Sequence, residues 1–311
     1  MSVSVMIMTL NEEQNLPGAL ESLKWCDDVV VFDSYSTDRT AEIAEQYGAR
    51  VVKRKFDSFG PHQTWGIKEI EYKHRWVFML DADERMSPTL QQTLEDIAAK
   101  WESGEHTADK DPVAYYCGRR NFFRGKWIKH AMPPGNNMRF FQPPLIRFER
   151  EVHQVPVVDG AIGYMKGMFE HYNFSKGIGE WFDRHNRYAT MEANETVRAL
   201  KENPVKFSKL FSKDRNTRRL EMKNISFRLP FRPFVKFFYM YILKLGILDG
   251  RAGLTYCTIL CVYEYIIVLK VRELDRPDIT AADRGEGQSL YPSTPAATQA
   301  SHKQALEKNS Q

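Results

Sequence analysis

An α/β fold, with an open and mostly parallel sheet covered by helices on both faces, is what the first hundred residues predict. Three observations predict it. Short apolar runs rich in β-forming residues alternate with stretches of helical periodicity. The runs are apolar throughout rather than alternating apolar and polar, as strands covered on both faces are. Three of them end in polar or acidic loops, TLNEE, DSYSTD and DADE. In such a sheet these loops gather on one rim, beyond the carboxyl ends of the strands, where ligands bind.

The elements follow in order. Val3 to Met8 reads as a strand, TLNEEQNLP as a loop, and Leu16 to Leu23 as a helix. Asp28 to Phe32 is a second strand. After DSYSTDRT, with Thr37 or Asp38 as N-cap, a helix runs from Thr40 to Tyr47 and closes at Gly48. Ala49 to Lys53 is a third strand, Pro61 to Tyr72 a helix, Arg75 to Leu80 a fourth strand, and Ser87 to about Trp101 a helix. WESGEHTADKDP is a charged, breaker-rich loop. Val113 to Tyr164 is strand-like, with PPGNN and QPP as turns, and His171 to about Lys201 is helical. The expected division is a catalytic domain over 1–203, with halves 1–112 and 113–203, a basic and apolar helical region over 204–272, and a disordered tail over 273–311 rich in Ser, Thr, Ala, Pro and charges.

Hydrophobic residues at 42% and aromatics at 13% provide for a substantial core and exclude global disorder. The net charge of +4 says little, but its distribution says more: from Lys206 to Lys244 there are eleven Lys or Arg against Asp214 and Glu221. Such a stretch points to phosphate-bearing surfaces. Cys26, Cys117, Cys257 and Cys261 form no CxxC pair and no zinc spacing, and read as buried, reduced thiols. The N-terminus lacks a basic n-region, so the expectation is an intracellular enzyme whose chain begins in its fold.

Residues 76–84, WVFMLDADE, carry the chemistry. Asp81 and Asp83 lie two apart, and in an extended turn they point to one side and can share a divalent cation. Mg²⁺ and Mn²⁺ prefer carboxylate oxygens together with substrate phosphates. A cation there would neutralise charge on a departing nucleoside diphosphate. The plainer reading is an acidic turn that caps the next helix, but Ser87-Pro88 already starts that helix.

With VMIMTLNEEQNL, VVVFDSYSTDRTAEIA, FDSFGPHQTWGI and VFMLDADE, the chain resembles a family 2 glycosyltransferase of GT-A fold. More narrowly it resembles the lipopolysaccharide-core and exopolysaccharide branch described as β-1,4-glucosyltransferase-like. The resemblance covers most of residues 3 to 271. It implies that Thr9, Asn11 and Glu12 lie against the nucleoside, that Asp33 accepts a hydrogen bond from the base, and that Asp57 and Gln63 border the nucleotide. Asp81, Ala82 and Asp83 would hold the sugar nucleotide and its metal. Two positions depart from the family pattern: Tyr35, where the family has Gly, and the QTW that follows His62.

Inverting transfer needs a general base for the acceptor hydroxyl. Relatives show a VHE ending where this chain has Val152-His153-Gln154, so Glu151 is the expected base, with Glu149 and Asp159 as alternatives. His153 would join Asp81 and Asp83 at the metal or bind a phosphate. Arg139 would pair with the diphosphate through its fork. His171 in EHYNFSKG and the run WFDRHNRY also match the family, and Trp181, His185, Asn186 and Arg187 would shape the acceptor cleft.

Between Phe207 and Val271, Lys and Arg first interleave with Phe, Leu and Ile. Then LTYCTILCVYEYIIVL gives sixteen residues with one acid, Glu264. That is short for a span of about 20 residues and fits an interfacial helix better. No RRM, KH or OB pattern appears, so nucleic acid is not expected as a partner. The sequence thus predicts an inverting hexosyltransferase at the cytoplasmic face of the inner membrane, peripheral or monotopic. It would use a UDP-sugar, Mg²⁺ or Mn²⁺, and a lipid-linked or lipid A-core saccharide as acceptor. The competing readings are a sugar-phosphate nucleotidyltransferase, against which TLNEEQN is acidic where a Gly-rich basic loop is needed, and a membrane-surface scaffold that lacks the base.

Overall fold

The structure, a computed structural model, describes residues 2–107, 110–149, 155–202, 207–226 and 231–275. The chain divides into two compact units, 1–182 with 237–258, and 183–236 with 259–311. These units do not follow the sequence division at residue 203, because the long helix that begins at Gly177 contributes most of its length to the second unit.

The first unit opens with β1 (Val3–Thr9), α1 (Leu16–Glu21), β2 (Val29–Asp33), α2 (Thr40–Gln46), β3 (Arg50–Lys53), α3 (Phe59–Glu69) and β4 (Trp76–Asp81). After these come β5 (Glu84–Arg85), α4 (Pro88–Glu102), β6 (Ala114–Phe123), β7 (Lys126–Trp127), β8 (Asn136–Phe141), β9 (Ile146–Glu149), β10 (Val155–Val158) and β11 (Ile162–His171). The main sheet runs β3-β2-β1-β4-β8-β6-β11-β5, with β7 paired to β6, while β9 and β10 form a separate hairpin. Strands β3, β2, β1 and β4 are mutually parallel; β8 enters antiparallel, and β11 is parallel to β6.

Alternation along the strands explains the unbroken apolar runs. Val3, Val5 and Ile7 of β1, with Trp76, Phe78 and Leu80 of β4, face a cluster built with α1 and α4. Met6, Val77 and Met79 face the other side, against Phe32 and, from α3, Ile67. Both faces are buried, so neither has polar positions to alternate with. Ser87 caps α4 by accepting from Leu90 N at 3.3 Å, as the Ser-Pro signal predicts. Expected boundaries move: the helix expected over Pro61–Tyr72 runs Phe59–Glu69, and His171 ends strand β11, with the next helix beginning only at Gly177, whose φ of +89° marks the turn between them.

At the end of the sheet opposite the acidic loops, Asp28 is a buried knot. It accepts from Ser4 Oγ at 2.5 Å, from Lys73 N at 2.8 Å and from the Arg50 guanidinium at 2.8 Å. In the same unit, the Asp249 carboxylate accepts from the backbone N–H groups of Lys129, His130 and Ala131, and so ties the segment after β7 to the start of α8 (Gly250–Asp275).

The second unit holds most of α5 (Gly177–Glu202), then α6 (Arg215–Ser226), the start of α7 (Arg232–Phe238) and the end of α8. Inside it Glu264 is buried between Arg232, at 2.5 Å, and Lys236, at 2.6 Å. Lys270 donates to Asn186 O and Thr190 Oγ1, and Tyr263 donates to Glu192. The sixteen-residue apolar run therefore sits in a longer helix, and residues 246–275 are long and apolar enough to cross a membrane. Glu264, Lys270 and Tyr263 of that helix are nonetheless paired within the second unit, and Val262, Tyr265 and Leu269 are left as an exposed apolar stripe.

Asp28→Ala would strand Ser4, Lys73 N and Arg50, and is expected to cost about 2–3 kcal/mol. Burial pushes the Asp28 carboxyl up, but hydrogen bonds from Ser4, Lys73 N and Arg50 outweigh it and hold it below the usual carboxylate range. A carboxylate depressed in the folded state stabilises above its unfolded pKa and loses that contribution as pH falls through the folded one. The stability gap between wild type and Asp28→Ala, read by urea denaturation, is therefore expected to be full at pH 7 and to narrow below about pH 4.

Candidate active site

Parallel β1 and β2 end side by side, with Thr9 opposite Asp33. Thr9 Oγ1 donates to Asp33 Oδ1 at 2.9 Å, and Ser36 donates through both its N–H, at 2.9 Å, and its hydroxyl, at 2.5 Å. Asp33 is fully buried. Asp33 thus shapes the DSYSTD loop with three hydrogen bonds, and its Oδ2 accepts one of them, from Ser36 N.

Asn11 and Tyr35 both adopt left-handed backbone, with φ of 56° and 59°. Asn11 tolerates this and uses Oδ1 to accept from Thr37 N at 2.8 Å. Tyr35 stands where the family has Gly, so its side chain carries a strain of about 1–2 kcal/mol. It is 58% exposed at the rim. Glu12 accepts from Asn15 Nδ2 at 2.7 Å and from Lys176 Nζ at 2.6 Å, and Lys176 also bonds Asn11 O. Burial raises the Glu12 pKa, against the pull of Lys176 and Asn15. No motif pointed to Lys176, which lies 164 residues from Glu12.

Asp57 forms a two-pronged pair with Arg54, at 3.0 and 2.7 Å, which holds its carboxyl well below the usual range. Arg54 also meets His62 Nδ1 at 2.9 Å, and His62 stacks on Phe32 at 4.2 Å. Burial first, and then Arg54, lower the His62 pKa to about 4, so its imidazole is neutral. Gln63 is buried on the same helix, and its Oε1 has no hydrogen-bond partner. It lines a 530 Å³ pocket together with Asp81, Arg139, Asn136, Asn137 and Phe59.

The turn after β4 is held by Arg139 of β8. Its Nη2 lies 2.7 Å from Asp81 Oδ2 and 3.0 Å from Glu84 Oε1. Glu84 is fully buried, and its Oε2 accepts from Asp81 N at 2.9 Å. Burial pushes the Glu84 pKa up while Arg139 pulls it down. Burial also works against the Arg139 charge, but Asp81 and Glu84 more than offset it. The expected role of Arg139 is thereby corrected: its fork is committed to two carboxylates, and it positions Asp81 rather than reaching for a diphosphate.

Ala82 is buried and gives its carbonyl to Arg85 Nη1 at 2.9 Å. Asp83 O accepts from Tyr172 N at 2.9 Å, and Asp83 Oδ2 lies 3.4 Å from His171 Nε2. The other His171 nitrogen meets Asn121 Oδ1 at 2.9 Å. Among the described residues no three His, Cys, Asp or Glu converge on a metal position. Asp83, with His171 beside it, still suits a hard cation whose remaining positions are filled by substrate oxygens.

Glu151 and His153 lie outside the described residues. Their described neighbours Phe148 and Pro156 line the pocket that holds Asp81. Glu149 and Asp159 are exposed and near Arg147, at 3.3 and 3.8 Å. Trp181 is fully buried against Phe174, His185 packs edge-on to Tyr263, and Asn186 O accepts from Lys270.

The strand ends of this α/β sheet collect an acidic turn, a 530 Å³ pocket and a buried amide oxygen without a partner. The chain belongs to glycosyl transferase family 2, whose family profile matches residues 4–173. The α/β sheet, parallel over β3, β2, β1 and β4, is the architecture the sequence predicted. It is similar, at 26% identity over 208 residues, to the lipopolysaccharide core biosynthesis glycosyltransferase LpsC of Rhizobium meliloti (strain 1021), with 64% of this chain and 73% of that one covered. An uncharacterized glycosyltransferase of Rickettsia typhi (strain ATCC VR-144 / Wilmington) is 27% identical over 208 residues, 63% of this chain and 68% of its own. Among solved structures, the mannosyltransferase PcManGT from Pyrobaculum calidifontis, in complex with GDP-Man and Mn²⁺, aligns over 86% of each chain with TM-score 0.47 and 15% identity.

Arg139→Met would leave Glu84 buried without its cation, and is expected to cost about 3–5 kcal/mol in urea denaturation. Adding Glu84→Gln to that variant is expected to recover part of the loss. A loss below about 1 kcal/mol for Arg139→Met would mean that the pair does not hold the turn.

Proposed function

We propose that this glycosyltransferase moves a hexose from a UDP-sugar to a hydroxyl of a membrane-anchored saccharide, with inversion at the anomeric carbon. The observation that carries the proposal is the turn 81–84: Arg139 binds both Asp81 and Glu84, and Asp83 lies beside His171 at the end of β4. Asp83 would hold Mg²⁺ or Mn²⁺ with the diphosphate. The bound cation would offset charge on the departing UDP. Gln63 would satisfy its orphaned Oε1 on a donor N–H, and the imide of uracil provides one. Thr9 and Asp33 would shape the nucleoside loop from behind, while Asn11 and Glu12 would border the ribose.

Glu151 would take the proton from the attacking hydroxyl. That Phe148 and Pro156 line the Asp81 pocket supports this assignment. The likeness to a lipopolysaccharide core enzyme supports a saccharide of that class as acceptor. Membrane attachment, at the cytoplasmic face, is supported by the segment 231–248. There Phe231, Phe234, Phe238, Leu243, Leu245 and Leu248 are all exposed on a chain that also carries Arg232, Lys236 and Lys244. Soluble monomers rarely leave so many large apolar side chains open, and aromatics among basic residues suit a headgroup layer.

Transfer from UDP-glucose, UDP-galactose or a UDP-N-acetylhexosamine, followed by NMR of the product's anomeric proton, tests the reading. Glu151→Gln is expected to lower kcat by about 10²–10⁴ with UDP affinity unchanged. Unchanged kcat would remove Glu151 as the base, and a product with retained configuration would contradict the single displacement. Substituting Phe234, Phe238 and Leu248 with Ser is expected to abolish sedimentation with vesicles containing anionic lipid while leaving UDP binding intact. Undiminished sedimentation would exclude this segment as the anchor.

A further inference from the structure

Beside the 81–84 turn lies a second concavity that the donor reading leaves unused. It has a volume of 470 Å³ and is lined by Gln14, Asn15, Arg85, Arg124, Phe122 and Tyr172, with Phe174 at its edge. Its aromatic side is rigid. Phe122 stacks on Tyr172 at 5.1 Å and 20°, and Phe174 is fixed by stacking on Trp181 at 5.1 Å.

Its cations lack carboxylate partners. The Arg85 guanidinium is held by three backbone carbonyls, those of Ala82, Glu84 and Asn15, at 2.7 to 3.0 Å, and lies 5.6 Å from the centre of the Tyr172 ring. No ion pair to Arg85 or Arg124 occurs among the described residues. Room for Arg85 is secured by Gly18, where any Cβ would collide with the guanidinium. Arg124 and Gly125 form the two-residue turn between β6 and β7, with φ of 51° and 71°. That geometry favours Asn-Gly. An Arg at the first position is locally unfavourable, so this cation is kept against the preference of the turn.

We propose that this concavity is a subsite for a saccharide bearing an anionic group, a phosphate or a carboxylate, belonging to the acceptor. Aromatic faces suit the C–H face of a sugar ring, and guanidinium groups suit an anion. The position supports an acceptor over a donor. Arg85 is bonded to the turn that carries Asp83, and Tyr172 N is bonded to Asp83 O, so a saccharide held against this wall of the concavity lies beside the turn that would hold the donor. The proposal rests on the reading of Asp83 as the donor site.

The test is calorimetry on the full chain, in the presence of Mn²⁺ and saturating UDP, with glucose 6-phosphate, glucuronate, glucose and inorganic phosphate as separate titrants. At least one anionic sugar is expected to bind about tenfold or more tighter than both glucose and phosphate, and which of the two does so identifies the anion. Arg124→Asn, which suits the turn and so preserves the hairpin, is expected to remove that preference while UDP affinity stays the same. Phe122→Ala is expected to weaken the anionic sugar without affecting UDP.

Equal binding of glucose and the anionic sugars would overturn the proposal. So would phosphate binding as tightly as glucose 6-phosphate, an unaffected Arg124→Asn, or competition between the sugar and UDP. If UDP fails to bind but the Arg124-dependent sugar preference appears, the donor reading falls and the subsite stands. If UDP binds and no sugar does, the subsite alone falls.

Discussion

The buried guanidinium of Arg139 is the constraint on which the site depends. Three carboxylates, Asp81, Asp83 and Glu84, fall within four residues at the end of a buried strand, and one of them has no exposure to water. Such a cluster would repel itself and lose hydration on folding. Arg139 arrives from β8, the strand that joins the two halves of the sheet, and binds Asp81 and Glu84 together. Two carboxylates and one guanidinium leave a single negative charge in that trio. Asp83 lies beside His171, with 3.4 Å between Oδ2 and Nε2. The sheet topology is thus part of the chemistry, since without β8 beside β4 the turn could not keep its acids.

The same economy governs the other rim loops. Asp33 shapes its loop through Thr9 and Ser36, Asn11 through Thr37, Glu12 through Lys176 and Asn15, and Asp57 through Arg54. Most of the polar residues that look like ligand contacts in the sequence are spent on the backbone geometry that surrounds the ligand. Gln63 is the exception, because a buried amide oxygen without a partner awaits one.

The strands and the rim were legible because a doubly covered strand leaves an unbroken apolar run, and the polar loop after it marks the ligand edge. The DADE turn was legible for the same reason. What could not be read were contacts between distant residues, which leave no periodic trace. Arg139 meets Asp81 across 58 positions and Lys176 meets Glu12 across 164. The placement of His171 was also missed. EHYNFSKG gives no clear period, and only the pairing of β11 with β5 shows that His171 ends a strand next to Asp83. Trp181 and His185 match family positions, yet each is used in packing, since a motif match does not say which face of a helix a residue takes.

The most direct test of the central claim is the pH dependence of Mn²⁺ binding, followed by the electron paramagnetic resonance of the free ion, in wild type and in Asp83→Asn with UDP present. If Asp83 holds the cation beside a diphosphate, wild type takes up one Mn²⁺ only when UDP is added, and Asp83→Asn takes up none at the same concentrations. Equal uptake by the two chains, or uptake that ignores UDP, would contradict the account and leave the turn as a folded acidic corner held by Arg139.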